Sequence, residues 1–140
     1  MRFWDSSALV PLLLEERATA AARRLLSEDG VVLAWALTPL EILSALWRRR
    51  RTDDLSEADL VSAEDSLRQL EGVWSLISDL DHVERRARRM LAVHPLRAGD
   101  AAQLAAALVA SGERPDLLPF VTSEATLAEA ARKEGFTVLS

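Results

Sequence analysis

No cysteine occurs anywhere in the 140 residues. Disulfides, thiolate metal centres and a cysteine nucleophile are therefore excluded. Histidine is nearly as scarce, with only His82 and His94. His82 falls on a charged helical stretch and His94 just before Pro95, so both read as surface or loop residues. Neither has the clustered partners that a zinc site needs. Lys133 is the only lysine, so the positive charge is almost all arginine, whose planar fork suits phosphate and carboxylate partners. Net charge is −5, which argues against a general nucleic-acid-coating protein. No run approaches the ~20 apolar residues needed to span a bilayer. The opening does not fit a signal peptide: Asp5 precedes the apolar "LVPLLL", Glu15–Glu16 closes it, and no small-residue cleavage site follows. A soluble cytoplasmic protein is expected.

What is present points to a folded unit. Nearly half of the residues are apolar, which excludes disorder. No linker, repeat or low-complexity segment interrupts the chain, so one domain over residues 1–140 is expected. Strand-like runs stand at "RFW" (2–4), "VVLAW" (31–35), "VWSLI" (73–77), "LPFVT" (118–122) and "TVL" (137–139), with Gly135 marking the last turn. Amphipathic helical patterns cover roughly 7–15, 17–28, 38–51, 56–70, 80–93, 99–111 and 124–134. This alternation predicts an α/β fold, a mostly parallel sheet flanked by helices on both faces.

Acids recur at one rim of that sheet. Asp5 ends the first strand, Glu41 opens the helix after the second, and Glu124 follows the fourth. Asp100 opens the most apolar helix, in "LRAGDAAQLAAAL". Its rim is harder to count, because helices 80–93 and 99–111 both precede the fourth strand. If both ran full length and antiparallel, Asp100 would start at the wrong rim. The first must lie across the sheet or break early. Ligands in open parallel sheets sit beyond the strands' carboxyl ends, near the switch point of strand order.

Each acid has a plain reading. Asp5, Ser6 or Ser7 can cap a helix. Thr38-Pro39-Leu40-Glu41 has the pattern of a capping box. Asp100 and Glu124 can complement helix dipoles. Together the acids ask for more, because convergent carboxylates repel unless a cation holds them. An oxygen-only set favours Mg²⁺ or Mn²⁺ over zinc, and such an ion can orient a phosphate, activate a water and stabilise a departing oxygen.

"FWDSSALVPLL", "TPLEILSAL", "LRAGDAAQLAAAL" and "FVTSEATLAEAARKEGFTVL", in that order, resemble the PIN-domain nucleases, and among them the VapC-type toxins. The likeness runs over residues 2–139. It implies a three-layer α/β/α fold and Mg²⁺- or Mn²⁺-dependent endonucleolytic cleavage of RNA, often transfer or ribosomal RNA. It further implies a cognate antitoxin and a homodimer. By position, Asp5, Glu41, Asp100 and Glu124 are the catalytic acids, with Asp5 and Asp100 as direct metal ligands. Ser7 is the small hydroxyl residue two places after the first acid. Glu124 stands where aspartate is usual, so its longer side chain reaches an ion through water. Arg97 matches a frequent family position for contact with phosphate or the acids, and Gln103 stands where histidine is common.

Other residues have less to say. Val83, Ala87, Met90 and Leu91 form an apolar stripe, with Arg85, Arg88 and Arg89 pointing away as a solvated face or an RNA track. Arg48 to Arg51 close a helix, where positive charge suits the dipole. Trp4, Trp35 and Trp74 read as core, and Trp47 as an interface anchor. Helix 7–15 and the pair 38–51/56–70 could offer a groove to a partner helix. Two rivals stand beside the nuclease: a non-catalytic PIN-like module that binds RNA or protein, and an aspartate-nucleophile phosphatase. The latter wants a second aspartate where Ser7 stands.

Overall fold

Five short strands form one sheet in the computed structural model, which describes residues 1–140. They are β1 (Arg2–Trp4), β2 (Val32–Trp35), β3 (Ser75–Ile77), β4 (Phe120–Val121) and β5 (Val138–Leu139). All pair in parallel, in the order β3-β2-β1-β4-β5. Seven helices connect them: α1 (Ser6–Leu13), α2 (Thr19–Glu28), α3 (Thr38–Arg51), α4 (Glu57–Glu71), α5 (Leu80–Val93), α6 (Ala98–Ala110) and α7 (Ala125–Lys133).

The strands build two cores at once, because successive side chains of an extended chain point to opposite faces. Phe3, Leu33, Trp35 and Phe120 join Val83 and Met90 of α5, the buried face of α6 and Leu127 of α7. Trp4, Val32, Ala34 and Val121 join side chains of α1, α2, α3 and α4. The result is the expected three-layer α/β/α arrangement. Phe3 and Phe120 stack at 5.4 Å across the β1–β4 pair, a spacing at which aromatic pairs attract beyond their buried area. No helix is long and apolar enough to cross a membrane.

The connection from β3 to β4 resolves the uncertain placement of Asp100. Both α5 and α6 are unbroken. The alanines of α6 let it lie close on β2 and β3, whereas α5 packs principally on α6. As an outer helix, α5 need not run along the strands, and α6 can begin at the rim where the other acids stand. Because α5 packs chiefly on α6, its apolar stripe is narrower than the helical pattern predicts. Val83 and Met90 are buried, but Leu91 is exposed. His94 lies in the connection after α5, as the loop reading has it, but not on the surface. It is buried at the end of α5, where its Nε2 meets Oε1 of Glu134 at 2.6 Å.

Strand order reverses between β1 and β4. Both strands end at the same rim, and the chain leaves it through α1 on one face and α7 on the other. That divergence opens a crevice at the switch point.

Candidate functional site

The crevice is a cleft of about 700 Å³, and its walls carry Ser6, Glu41, Arg48, Arg97, Asp100 and Glu124. Three of the four expected acids therefore share one cleft, although they come from α3, α6 and the turn before α7. Asp5 lies behind them. It is only 3 % exposed and touches the cleft through Ser7, which does line it.

Asp5 sits where β1 gives way to α1 because its extended backbone ends the strand while its carboxylate caps the helix. The amides of Ser7 and Ala8 donate to it at 3.3 and 3.4 Å, and the Ser7 hydroxyl at 2.9 Å. Burial raises its pKa from 3.8 to about 6, with the Ser7 and Ala8 hydrogen bonds pulling the other way. Ser7 also ties this corner to the end of β4. Its hydroxyl oxygen lies 3.3 Å from that of Thr122 and accepts from the Ser123 amide at 3.0 Å. The capping reading of Asp5 is thus met, while the side chain stands one residue behind the cleft wall that Ser7 lines.

Glu41 does not make the capping box that its sequence suggests. The cap of α3 is Leu37, without a side-chain bond, and Thr38 is already inside the helix. Glu41 instead accepts from Ser6 Oγ at 2.9 Å and from Gln103 Nε2 at 2.8 Å. Tertiary partners on α1 and α6 have taken it away from its own helix end. Burial raises its pKa, the two donors oppose this, and the charge of Asp100 adds to the rise. The involvement of Ser6 and the Gln103–Glu41 bond were not foreseen. The one signal was a lone amide among the alanines of "AAQLAAAL".

Asp100 differs from both. It stands half-buried in the first turn of α6 with no hydrogen-bond donor. Its pKa is raised by burial first and by Glu124 second, while Arg97 opposes. Glu124 is itself the cap of α7, accepting from the Leu127 amide. Burial, more than mutual repulsion, is what destabilises the charged forms at this rim.

Convergence stops short of a formed metal centre. No three His, Cys, Asp or Glu side chains stand close enough to hold an ion as they are. The reason is visible in the bonds: Asp5 and Glu124 hold helix N-termini and Glu41 holds Ser6 and Gln103. The donor chemistry nevertheless fits a hard divalent cation. It is all oxygen, its charged forms are disfavoured by burial, and Asp100 has no partner within the chain.

Among solved structures the chain is similar to PAE2754 from Pyrobaculum aerophilum, with a TM-score of 0.62 and 24 % identity. That match covers 92 % of this chain and 83 % of the other, and it speaks to the fold alone. No curated protein matches the chain. The PIN-domain family model matches residues 2–133. Nearly the whole of the sheet and all seven helices fall within that span, and the chain belongs to the PIN-domain family.

Proposed function

We propose that this chain, a single PIN-like domain over residues 1–140, is a cytoplasmic Mg²⁺- or Mn²⁺-dependent endoribonuclease. We further propose that it is the toxin of a type II toxin–antitoxin pair and cleaves cellular RNA such as transfer or ribosomal RNA. PIN domains are generally metal-dependent nucleases. The observation that carries the reading is one cleft lined by Glu41, Asp100 and Glu124 together with Arg48 and Arg97.

In this reading Asp5 and Asp100 would hold the ion directly, and Glu41 and Glu124 would reach it through water. Bound there, a divalent cation orients the scissile phosphate, makes a nearby water more acidic and offsets charge on the departing oxygen. The chain's own residues do the remaining work. Arg48 and Arg97 make no ion pair within the protein, so their forks are free for backbone phosphates. Aimed at the non-bridging oxygens, they neutralise charge that builds as water attacks phosphorus. Glu41 Oε1, which accepts no hydrogen bond, takes the proton of that water. As the P–O3′ bond breaks, the 3′ oxygen takes a proton from solvent, which leaves 5′-phosphate and 3′-hydroxyl ends.

The test is cleavage of total RNA with Mn²⁺ present. Wild type yields discrete fragments, and Asp100→Asn, which keeps the shape but removes the charge, slows this by about 10²–10⁴-fold. An equal rate in the variant would falsify the assignment. One observation favours a second reading, a non-catalytic PIN-like module: three of the four acids, Asp5, Glu41 and Glu124, are engaged with their own chain, the last as a helix cap. Protein that binds RNA yet cuts none in either metal would establish it. A cognate antitoxin and a second copy of the chain are the protein partners we propose. Exposed Leu37, Leu40, Trp47 and Leu76 supply apolar surface for them.

A further inference from the structure

Six polar or charged side chains are buried: Asp5, Thr19, Thr38, His94, Gln103 and Thr122. Buried polar groups are costly unless bonded, so each should have a purpose. Four have structural ones. Asp5 caps α1, Thr19 ties the start of α2 to Leu14 and Glu16, His94 joins Glu134, and Thr122 receives the Glu124 amide. Thr38 and Gln103 join α3 to α6. They bond to each other, Gln103 Nε2 donating to Thr38 Oγ1 at 3.0 Å, and the same amide goes on to Glu41.

The geometry at Glu41 is one-sided. Gln103 Nε2 and Ser6 Oγ both donate to Oε2, at 2.8 and 2.9 Å. Oε1 accepts no hydrogen bond and lies beside Gly99, where even an added Cβ would stand 3.7 Å away. Gly99 and Asp100 are consecutive and both line the cleft. With Oε2 held by two donors from two other helices, the carboxylate cannot turn without losing both.

We propose that Gln103 is a positioning residue for the cleft. Together with Ser6 it anchors Oε2 of Glu41 and reserves Oε1 for the divalent ion's water shell on the Asp100 side. The inference rests on the reading that Glu41 serves such an ion. It assigns a cleft-directed role to a side chain that is only 1 % exposed and never touches substrate.

A double-mutant cycle between Gln103→Met and Glu41→Gln, read by Mn²⁺ titration, tests it. Losing a hydrogen bond to a charged group is expected to weaken Mn²⁺ affinity about tenfold in Q103M. In the E41Q background the same change has no further effect, because Gln103 acts only through Glu41. Where RNA is cleaved, Q103M lowers kcat and leaves KM unchanged. A purely structural Gln103 gives a different result: Q103M lowers the melting temperature but leaves Mn²⁺ affinity at the wild-type value. That outcome, or full additivity with E41Q, overturns the proposal. Ser6→Ala removes the other donor at a half-exposed position and is read in the same cycle should Q103M not fold. Normal Mn²⁺ binding without RNA cleavage tells against the nuclease reading and leaves the Mn²⁺ cycle to decide the clamp.

Discussion

Two sides of the cleft differ in how far folding completes them. At the corner where β1 and β4 end, the polar groups close on one another: Asp5 on Ser7 and Ala8, Ser7 on Thr122 and Ser123, Glu124 on the N-terminus of α7. At the first turn of α6, Arg97 makes no ion pair, Gly99 offers no side chain, and Asp100 has no donor. The corner is finished by the chain itself. The α6 turn keeps its charges open to whatever enters the cleft. Rigidity on one side and unspent charge on the other suit a site that must hold its shape and still bind a cation.

The sharpest way to break this contrast is Asp5→Asn. A buried acid with a folded pKa of about 6 binds its proton more tightly in the native than in the unfolded state. Stability therefore falls as pH rises from about 4 to about 6 and levels off above, a loss of roughly 3 kcal/mol at ~1.4 kcal/mol per pKa unit. Asparagine does not titrate, so D5N loses the Asp5 share of that fall and keeps only the slope that Glu41 and Asp100, whose pKa values are also raised, contribute. In urea unfolding with chelator present, D5N should match wild type near pH 4 and exceed it at pH 7. Equal stabilities at pH 7 would show that the Asp5 donors fully offset its burial. The corner would then carry no stored cost.

Ser7→Ala addresses the same corner with a smaller expected effect. It removes the hydroxyl that donates to Asp5 and receives the Ser123 amide. A lost bond of this kind costs about 1–2 kcal/mol. Because that bond lowers the Asp5 pKa, its loss also moves the pH window upward. A shift of the window without loss of stability would mean that water replaces the hydroxyl.

Much of this was legible in the sequence, for identifiable reasons. Helices over 38–51 and 80–93 were bounded as the structure has them, since Pro39, the Arg48–Arg51 run and Pro95 are local punctuation. Asp5, Glu41 and Glu124 could be placed at one rim by counting strand directions. What failed depended on distant partners. Thr38 resembled a cap until Gln103, 65 residues later, drew it inward. His94 is the loop residue its sequence suggests, but its burial went unread because Glu134, 40 residues on, is invisible to local pattern. The strand runs overshot, β4 keeping only two of five expected residues, because apolar runs report burial and not pairing. The rim of Asp100 could not be counted, since α5 packs more on α6 than on the strands, a contact that no helical wheel encodes.

Arginine offers the finest comparison, since the open side of the cleft and the outer face of α5 both carry unpaired guanidinium groups. Arg97 lines the cleft, whereas Arg85 and Arg89 are exposed on α5, next to an Arg88 that is already bonded to Glu84. If the α6 turn is where charge is held for a ligand, Arg97→Ala should weaken single-stranded RNA binding at every sequence. It should also flatten the dependence of log affinity on log salt by about 0.7, the value of one phosphate contact on a single strand. Its effect on stability should stay within ~0.5 kcal/mol, as for other exposed positions. Because Arg97 lowers the Asp100 pKa, the variant should also need higher pH to reach half-maximal cleavage. An Arg85→Ala/Arg89→Ala pair should leave the salt slope where it is, if those groups only solvate a helix face. A flattened slope in that pair would extend the RNA track across α5, and an unchanged slope in R97A would confine Arg97 to tuning its acidic neighbour.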